Sequence, residues 1–320
     1  MLLSVENLAT YFFLDEGILK AVDDLSFTVE EQETVALVGE SGCGKTIVAL
    51  SIMKLVPLPG RIVKGKVLFN EEDLLQVNPE RLRQIRGSEI GLVFQEPGAA
   101  LNPVLTIGHQ IGEVLRLHRG MTKHEAKSEA IRLLGDTGIP EPEKRFRAYP
   151  FELSGGMQQR AVIAIATCTR PKLLIADEPT TALDVTVQAE ILDLLRYLQD
   201  QYRMAILIIS HDLGVVAGIA DRVLVMYTGK AMELASVRDF FHRPRHPYSQ
   251  GLLSAIPRLG GGKGELRSGI PGAVPDLMQL PTGCTFHPRC LIGDASCRLE
   301  FPPLRRISDE RWCACYKVSA

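Results

Sequence analysis

Hydrophobic and polar positions follow two rhythms along this chain of 320 residues. Thr34–Val38 is a short apolar run ending in a glycine turn, the pattern of a strand buried on both faces of a parallel sheet. Residues 173–176, 205–209 and 223–226 repeat it. Between such runs the period lengthens. From Val187 onward, Ile191, Leu194, Leu195, Leu198 and Tyr202 step by three and four, one face of an amphipathic helix. Strands alternating with helices predict an α/β core with a mostly parallel sheet covered on both sides. Two features interrupt it. Residues 2–13 and 18–29 read as antiparallel strands around the turn Asp15-Glu16-Gly17, and between about Pro97 and Pro150 the pattern turns helical. There Thr122 and Glu125 form a capping box for a helix running through Leu134. From about Ala235 the rhythm stops. Pro244, Pro247, Pro257, Pro271, Pro275, Pro281 and Pro288, with Gly260-Gly261-Gly262, exclude long helices or strands and predict an irregular appendix. No internal repeat is visible.

The length fits two ordinary domains at about 150 residues each. With 36 basic and 38 acidic side chains, the net charge of −2 leaves no global basic field, so nucleic acid is not an expected partner. A hydrophobic share of 46% against 23% charged supports a sizeable core and excludes disorder. The longest apolar runs fall far short of the roughly 20 residues of a membrane span. The start, Met1-Leu2-Leu3-Ser4-Val5-Glu6, lacks the basic and apolar stretches of a secretion signal, and the expectation is a protein that stays where it is made. Of seven cysteines, five (Cys284, Cys290, Cys297, Cys313, Cys315) fall in the last 37 residues. Without a secretion signal, such clustering favours a metal site over disulfides.

Gly39-Glu40-Ser41-Gly42-Cys43-Gly44-Lys45-Thr46 fits the phosphate-binding P-loop and lies between a strand pattern and a helix pattern, as that motif requires. Its glycines let several backbone N–H groups face phosphate oxygens, and the following helix adds its positive end. Lys45 would reach the β- and γ-phosphates, and the Thr46 hydroxyl would ligate Mg²⁺. Alone, the loop indicates only a nucleotide. A second apolar strand ends in Asp177-Glu178 and is expected next to the P-loop strand, where a second Mg²⁺ contact belongs. Glu178 would orient or deprotonate the attacking water, although Pro179 after it also suits a helix cap. Leu153-Ser154-Gly155-Gly156-Met157-Gln158-Gln159-Arg160 precedes an apolar helix and makes a further anion-receptive helix start. Two such starts suggest a nucleotide clamped from two sides.

With these motifs, the loop Ala182-Leu183-Asp184 and the histidine His211 in the same order, residues 1–235 resemble the ATPase subunit of an ABC transporter. The resemblance implies a P-loop cassette with a mixed sheet core, an antiparallel β subdomain and a helical subdomain at about 97–165. It also implies two cassettes packed head to tail. Ser154, Gly155, Gly156 and Gln158 of one would then face ATP and Mg²⁺ on the P-loop of the other, with Asp184 at the interface. Gln95, in Phe94-Gln95-Glu96-Pro97, is similar to the glutamine that contacts Mg²⁺ and water and couples to the membrane subunit. His211 would hold the γ-phosphate and Glu178 in register. An aromatic side chain near the start would stack on adenine; counting to Ala21-Val22 favours Phe12, with Tyr11 the alternative. Cys43 stands where these proteins more often carry serine. A thiol beside oriented N–H groups could be acidified and reactive, though a small residue that merely fits is the simpler reading.

Residues 245–257, Arg-His-Pro-Tyr-Ser-Gln-Gly-Leu-Leu-Ser-Ala-Ile-Pro, resemble the extension of the oligopeptide/dipeptide permease branch, as do Gly283-Cys284, Arg289-Cys290, Cys297 and Cys315 downstream. The start Ala21-Val22-Asp23-Asp24-Leu25-Ser26-Phe27 fits the same branch. The cysteine spacings are wider than the tight pairs of structural zinc sites and favour a [4Fe–4S] cluster on Cys284, Cys290, Cys297 and either Cys313 or Cys315, with zinc as the alternative. The branch points the same way and favours Cys315 over Cys313 as fourth ligand. Residues 236–320 are thus expected to be a cysteine-rich unit in which a cluster stands in for a core.

The resemblance implies an ATPase at the cytoplasmic face of the membrane that powers uptake of dipeptides or oligopeptides. Its partners would be a second ATPase subunit, in a hetero- or homodimer, two transmembrane permease subunits and an extracytoplasmic substrate-binding protein. The same branch importing nickel or another small solute is the first alternative. A soluble ABC ATPase of DNA repair or translation is the second, but such proteins usually carry two cassettes or a long coiled coil, and this chain shows neither.

Overall fold

The computed structural model describes residues 1–255 and 269–319. Ile256, Pro257 and the Gly260-Gly261-Gly262 run lie outside the described residues. The chain opens with β1 (Leu3–Leu14), β2 (Gly17–Val29) and β3 (Thr34–Val38), then α1 (Lys45–Ile52), β4 (Gly60–Phe69), β5 (Glu72–Asp73), α2 (Pro79–Ser88) and β6 (Ile90–Val93). Five helices follow: α3 (Pro97–Ala100), α4 (Ile107–Arg119), α5 (Lys123–Asp136), α6 (Pro142–Arg145) and α7 (Gly155–Thr167). The core resumes with β7 (Leu173–Asp177), α8 (Val185–Tyr202), β8 (Ala205–Ile209), α9 (Leu213–Ile219), β9 (Arg222–Tyr227) and β10 (Lys230–Ser236). The C-terminal part contributes α10 (Val237–His242), α11 (Pro247–Ser254), β11 (Arg305–Ser308) and β12 (Arg311–Cys313).

Two sheets face one another across a shared interior. The smaller has the order β2-β1-β4-β5 and the larger β11-β12-β10-β9-β3-β8-β7-β6. In the larger sheet β6, β7, β8, β3 and β9 run parallel, while β10, β12 and β11 close one side antiparallel. The all-apolar runs are the parallel centre: every residue of β3, β7 and β8 is buried. One of their faces packs on the small sheet and α1, the other on α7, α8 and the helical insert. The paired strands at 3–29, the capping box of α5 and the buried face Ile191, Leu194, Leu195 and Leu198 of α8 are as expected from sequence.

Two expectations need correction. The strand carrying Asp177 is not beside the P-loop strand, because β8 lies between β3 and β7. A parallel sheet whose crossovers skip a neighbour has no local sequence signal. Nor is the C-terminal part an irregular appendix lacking a core. β12 pairs with β10 and adds two strands to the main sheet, and the wholly or almost wholly buried Phe240, Tyr248 and Phe286 join its interior. Aromatics separated by prolines carry no periodicity, so their burial was not visible in the pattern.

Candidate functional site: a P-loop facing a carboxylate network

The P-loop passes from β3 into α1, and two of its glycines are dictated by packing. At Gly44 (φ 103°) a Cβ would stand 2.0 Å from the Ala21 carbonyl oxygen, and at Gly39 (φ 156°) 2.2 Å from that of Met226. Any side chain there would push the loop off its neighbours. Lys45 is buried and its Nζ donates to the carbonyls of Gly39 at 2.9 Å and Glu40 at 3.2 Å, so the ammonium lies folded against the loop it serves.

Asp177 ends β7 with its carboxylate buried beside Thr46. Burial pushes this carboxyl above its ordinary value, and the Thr46 hydroxyl and Lys45 pull the other way. Its Oδ1 is buried without a hydrogen-bond partner. An orphaned carboxylate oxygen next to a hydroxyl, at the foot of a phosphate loop, fits a hard divalent cation such as Mg²⁺.

Glu178 lies in the left-handed region (φ 47°) and caps no helix; the next helix starts at Val185, capped by Asp184. The turn aims the Glu178 carboxylate at three side chains from different elements. Gln95 Nε2 donates to Oε2 at 2.9 Å, the Thr181 hydroxyl donates to Oε2 at 2.8 Å, and His211 Nδ1 stands 3.1 Å from Oε1. Burial raises the Glu178 carboxyl, but the hydrogen bonds from His211 and Thr181 outweigh it and hold the group below its ordinary value. At neutral pH it is therefore an ionised base with a histidine in line. Glu178, Gln95 and His211, all singled out in the sequence, meet here. Thr181 was missed; its only signal is a hydroxyl three residues after the glutamate, on a turn whose shape the sequence does not display.

The other sequence-selected residues divide. Ser154 caps α7, its Oγ accepting the Met157 N–H at 3.4 Å, and Ser154 and Gly155 are exposed. Gln158 donates instead to the carbonyls of Pro150 and Leu153, holding its own turn. No hydrogen bond among the described residues joins this segment to the P-loop of the same chain. Asp184 accepts from the N–H groups of Thr186 and Val187. The Tyr11 hydroxyl is committed to Asp23 Oδ1 at 2.6 Å, and Asp23 in turn pairs with Lys230. Cys43 is wholly buried and burial pushes its thiol up, which agrees with the simpler reading of a small residue that fits and not with an acidified, reactive group. The oriented N–H groups do not compensate for loss of water around a thiolate.

Of the five C-terminal cysteines, Cys284, Cys290, Cys297 and Cys315 line one small cavity together with His246 and Phe286. Burial and the neighbouring thiols push Cys284 up to about 11. Cys313 is absent from that lining: it belongs to β12, opposite Glu233 of β10. No three His, Cys, Asp or Glu side chains among the described residues are grouped to hold a single metal ion.

Fold and site together define a P-loop ATPase cassette. The family model for ABC transporters matches residues 22–181, and that for the oligopeptide/dipeptide transporter C-terminal region matches residues 232–297. The chain belongs to the ABC transporter family, as an ABC ATPase. It is 49% identical over 317 residues to the oligopeptide transport ATP-binding protein OppD of Salmonella typhimurium, covering 99% of this chain and 94% of that one. It is 48% identical to a putative peptide import ATP-binding protein of Brucella abortus, covering 99% and 97%. Among solved structures it is similar to the dimeric post-hydrolysis ATP-binding cassette MJ0796 bound to ADP and Pi, with TM-score 0.67, 27% identity, and 74% of this chain and 99% of that one covered. CbiO1 of Clostridium perfringens, part of the transporter complex CbiONQ, gives a TM-score of 0.64 at 26% identity, covering 76% of this chain and 91% of that one.

Proposed function

We propose that this chain is the ATP-hydrolysing subunit of a membrane importer for dipeptides or oligopeptides. The observation that carries the ATPase chemistry is the Glu178 carboxylate, ionised and held by Gln95, Thr181 and His211 beside the P-loop. The cargo reading is supported by the C-terminal region match and by relatives named for peptide transport.

In this reading the amides of residues 39–46 and Lys45 receive the phosphates, and Thr46 and Asp177 hold Mg²⁺, which offsets phosphate charge when bound. Glu178 takes a proton from the attacking water, whose oxygen Gln95 helps to place, while His211 keeps the carboxylate aimed. Phe12 rather than Tyr11 stacks on adenine, because the Tyr11 hydroxyl is anchored to Asp23. Ser154 and Gly155, exposed at the start of α7, and the half-buried Gly156 serve the P-loop of a second ATPase subunit, and Asp184 stands at that interface while capping α8. The working assembly is a heterodimer or homodimer on two permease subunits at the cytoplasmic face of the membrane, fed by a substrate-binding protein. No described helix is long and apolar enough to cross a membrane, which agrees with attachment through the permeases. We place the cassette at 1–235, with its helical part near 97–165, and the extension at 236–320. Cys284, Cys290, Cys297 and Cys315 hold a [4Fe–4S] cluster that fastens the extension.

Glu178→Gln is expected to lower phosphate release by a factor of about 100 or more while leaving ATP binding intact. Unchanged turnover would remove Glu178 from the role of base. Iron and sulfide analysis of anaerobically purified protein tests the cluster: Cys315→Ser should lose iron and Cys313→Ser retain it. One zinc per chain without iron would overturn that assignment.

A further inference from the structure

Among the described residues, the C-terminal extension hydrogen-bonds to the P-loop at Glu40. Glu40, second in the loop, donates its backbone N–H to the Tyr248 hydroxyl at 2.9 Å, and its carbonyl accepts from Lys45 Nζ. Arg289 grips its carboxylate with two bonds, Nη1 to Oε2 at 2.6 Å and Nη2 to Oε1 at 3.0 Å. The Arg289 side chain is only 5% exposed and is fixed from behind. Its Nε donates to the Pro271 carbonyl at 2.8 Å, Nη2 to that of Gly272 at 3.4 Å, and Nη1 to the Tyr227 hydroxyl at 3.3 Å. It ends the single turn His287–Arg289, directly before Cys290. Arg289 is therefore pinned by the extension and presented to the loop.

The pairing has an electrostatic consequence. Glu40 places a carboxylate within a loop that receives phosphate groups, and an uncompensated negative charge there repels the ligand. The two-pronged guanidinium cancels that charge and fixes the loop at its entry.

We propose that Arg289 is a positioning residue for the ATP site: it neutralises and holds Glu40, so that the C-terminal extension sets the affinity of the P-loop for nucleotide. The inference rests on the ATP site described under the proposed function and assigns the extension a part in it. Tyr248 supports the same grip through the Glu40 backbone. Attachment of the extension does not depend on it, since β12 and the buried Glu233–Arg311 pair join the extension to the main sheet elsewhere.

The test is calorimetric titration of the full-length chain with ATP for wild type, Arg289→Met, Glu40→Gln and the double variant, each first checked for an unchanged melting profile. Arg289→Met should weaken ATP binding about ten-fold, because the Glu40 carboxylate is left bare beside the phosphates. Glu40→Gln should bind at least as tightly as wild type. In the double variant the affinity should return to within about three-fold of wild type, the coupling expected of a direct pair. A role in general packing predicts no such recovery, so a double variant as weak as Arg289→Met, or an Arg289→Met variant of unchanged affinity, overturns the proposal. If Arg289→Met does not fold, Arg289→Lys replaces it, keeping the charge but losing the second prong; it should bind a few-fold more weakly and recover when combined with Glu40→Gln. Failure of wild type to bind ATP would refute the ATP-site reading itself and not this coupling.

Discussion

Glu178 takes its character from three donors supplied by three parts of the chain, and Thr181 is the one whose removal separates aim from acidity. Thr181→Val deletes a hydrogen bond to the ionised form, so the carboxyl pKa rises. The base is then protonated at higher pH, and the acid limb of the phosphate-release profile should move upward by up to about one pH unit. An unmoved limb would show that the hydroxyl plays no part in tuning the base. The buried thiols give a second prediction at this scale. Burial pushes Cys43 above its ordinary range and Cys168 up to about 12. Thiolate grows only as pH rises through the pKa, so neither should react with iodoacetamide in the native protein at pH 8, with or without ATP. Both should label fully in denaturant. Mass spectrometry of the labelled peptides decides, and selective labelling of Cys43 without ATP would restore the reactive-thiol reading.

At the scale of elements, helix starts carry both stability and binding. Asp184 accepts two N–H groups at the start of α8. Asp184→Ala should cost about 1 kcal/mol in urea unfolding, and Asp184→Asn, which can still cap, should recover most of it. Ser154 caps α7 in the same way, followed by the exposed Gly155 and by Gly156, which lies against Val187. α1 begins inside the P-loop with no side-chain cap, so its N–H groups stay free for a ligand.

Across the whole molecule, the extension is fastened by charge as well as by strand pairing. Glu233 of β10 is wholly buried, and its carboxylate accepts from Arg311 Nη2 at 2.9 Å and from the backbone N–H groups of Arg245 and His246. Truncating one member of such a pair leaves a buried charge uncompensated and costs about 3–5 kcal/mol. Glu233→Ala should therefore release β11 and β12 to proteolysis well before the cassette core unfolds. Equal resistance of the variant and wild type to limited trypsin digestion would show that the thiol-lined site and the aromatic packing suffice.

Local pattern alone determined much of this protein. The all-apolar runs of β3, β7 and β8, the capping box at Thr122, the P-loop and the Asp177-Glu178 pair were legible because strand period, cap chemistry and phosphate binding are set by residues adjacent in sequence. Cys284, Cys290, Cys297 and Cys315, grouped by spacing and resemblance, line one small cavity without Cys313, but among the described residues no three side chains are placed to hold a metal ion. Tertiary structure decided what depends on separations of tens to hundreds of residues. It placed β8 between β3 and β7 and buried Cys43, while the turn after β7 added Thr181 to the Glu178 network from only three residues away. It also built the C-terminal residues into the main sheet and brought Arg289 to Glu40 across 249 positions. Burial and long-range pairing are properties of the closed chain, and no local period records them.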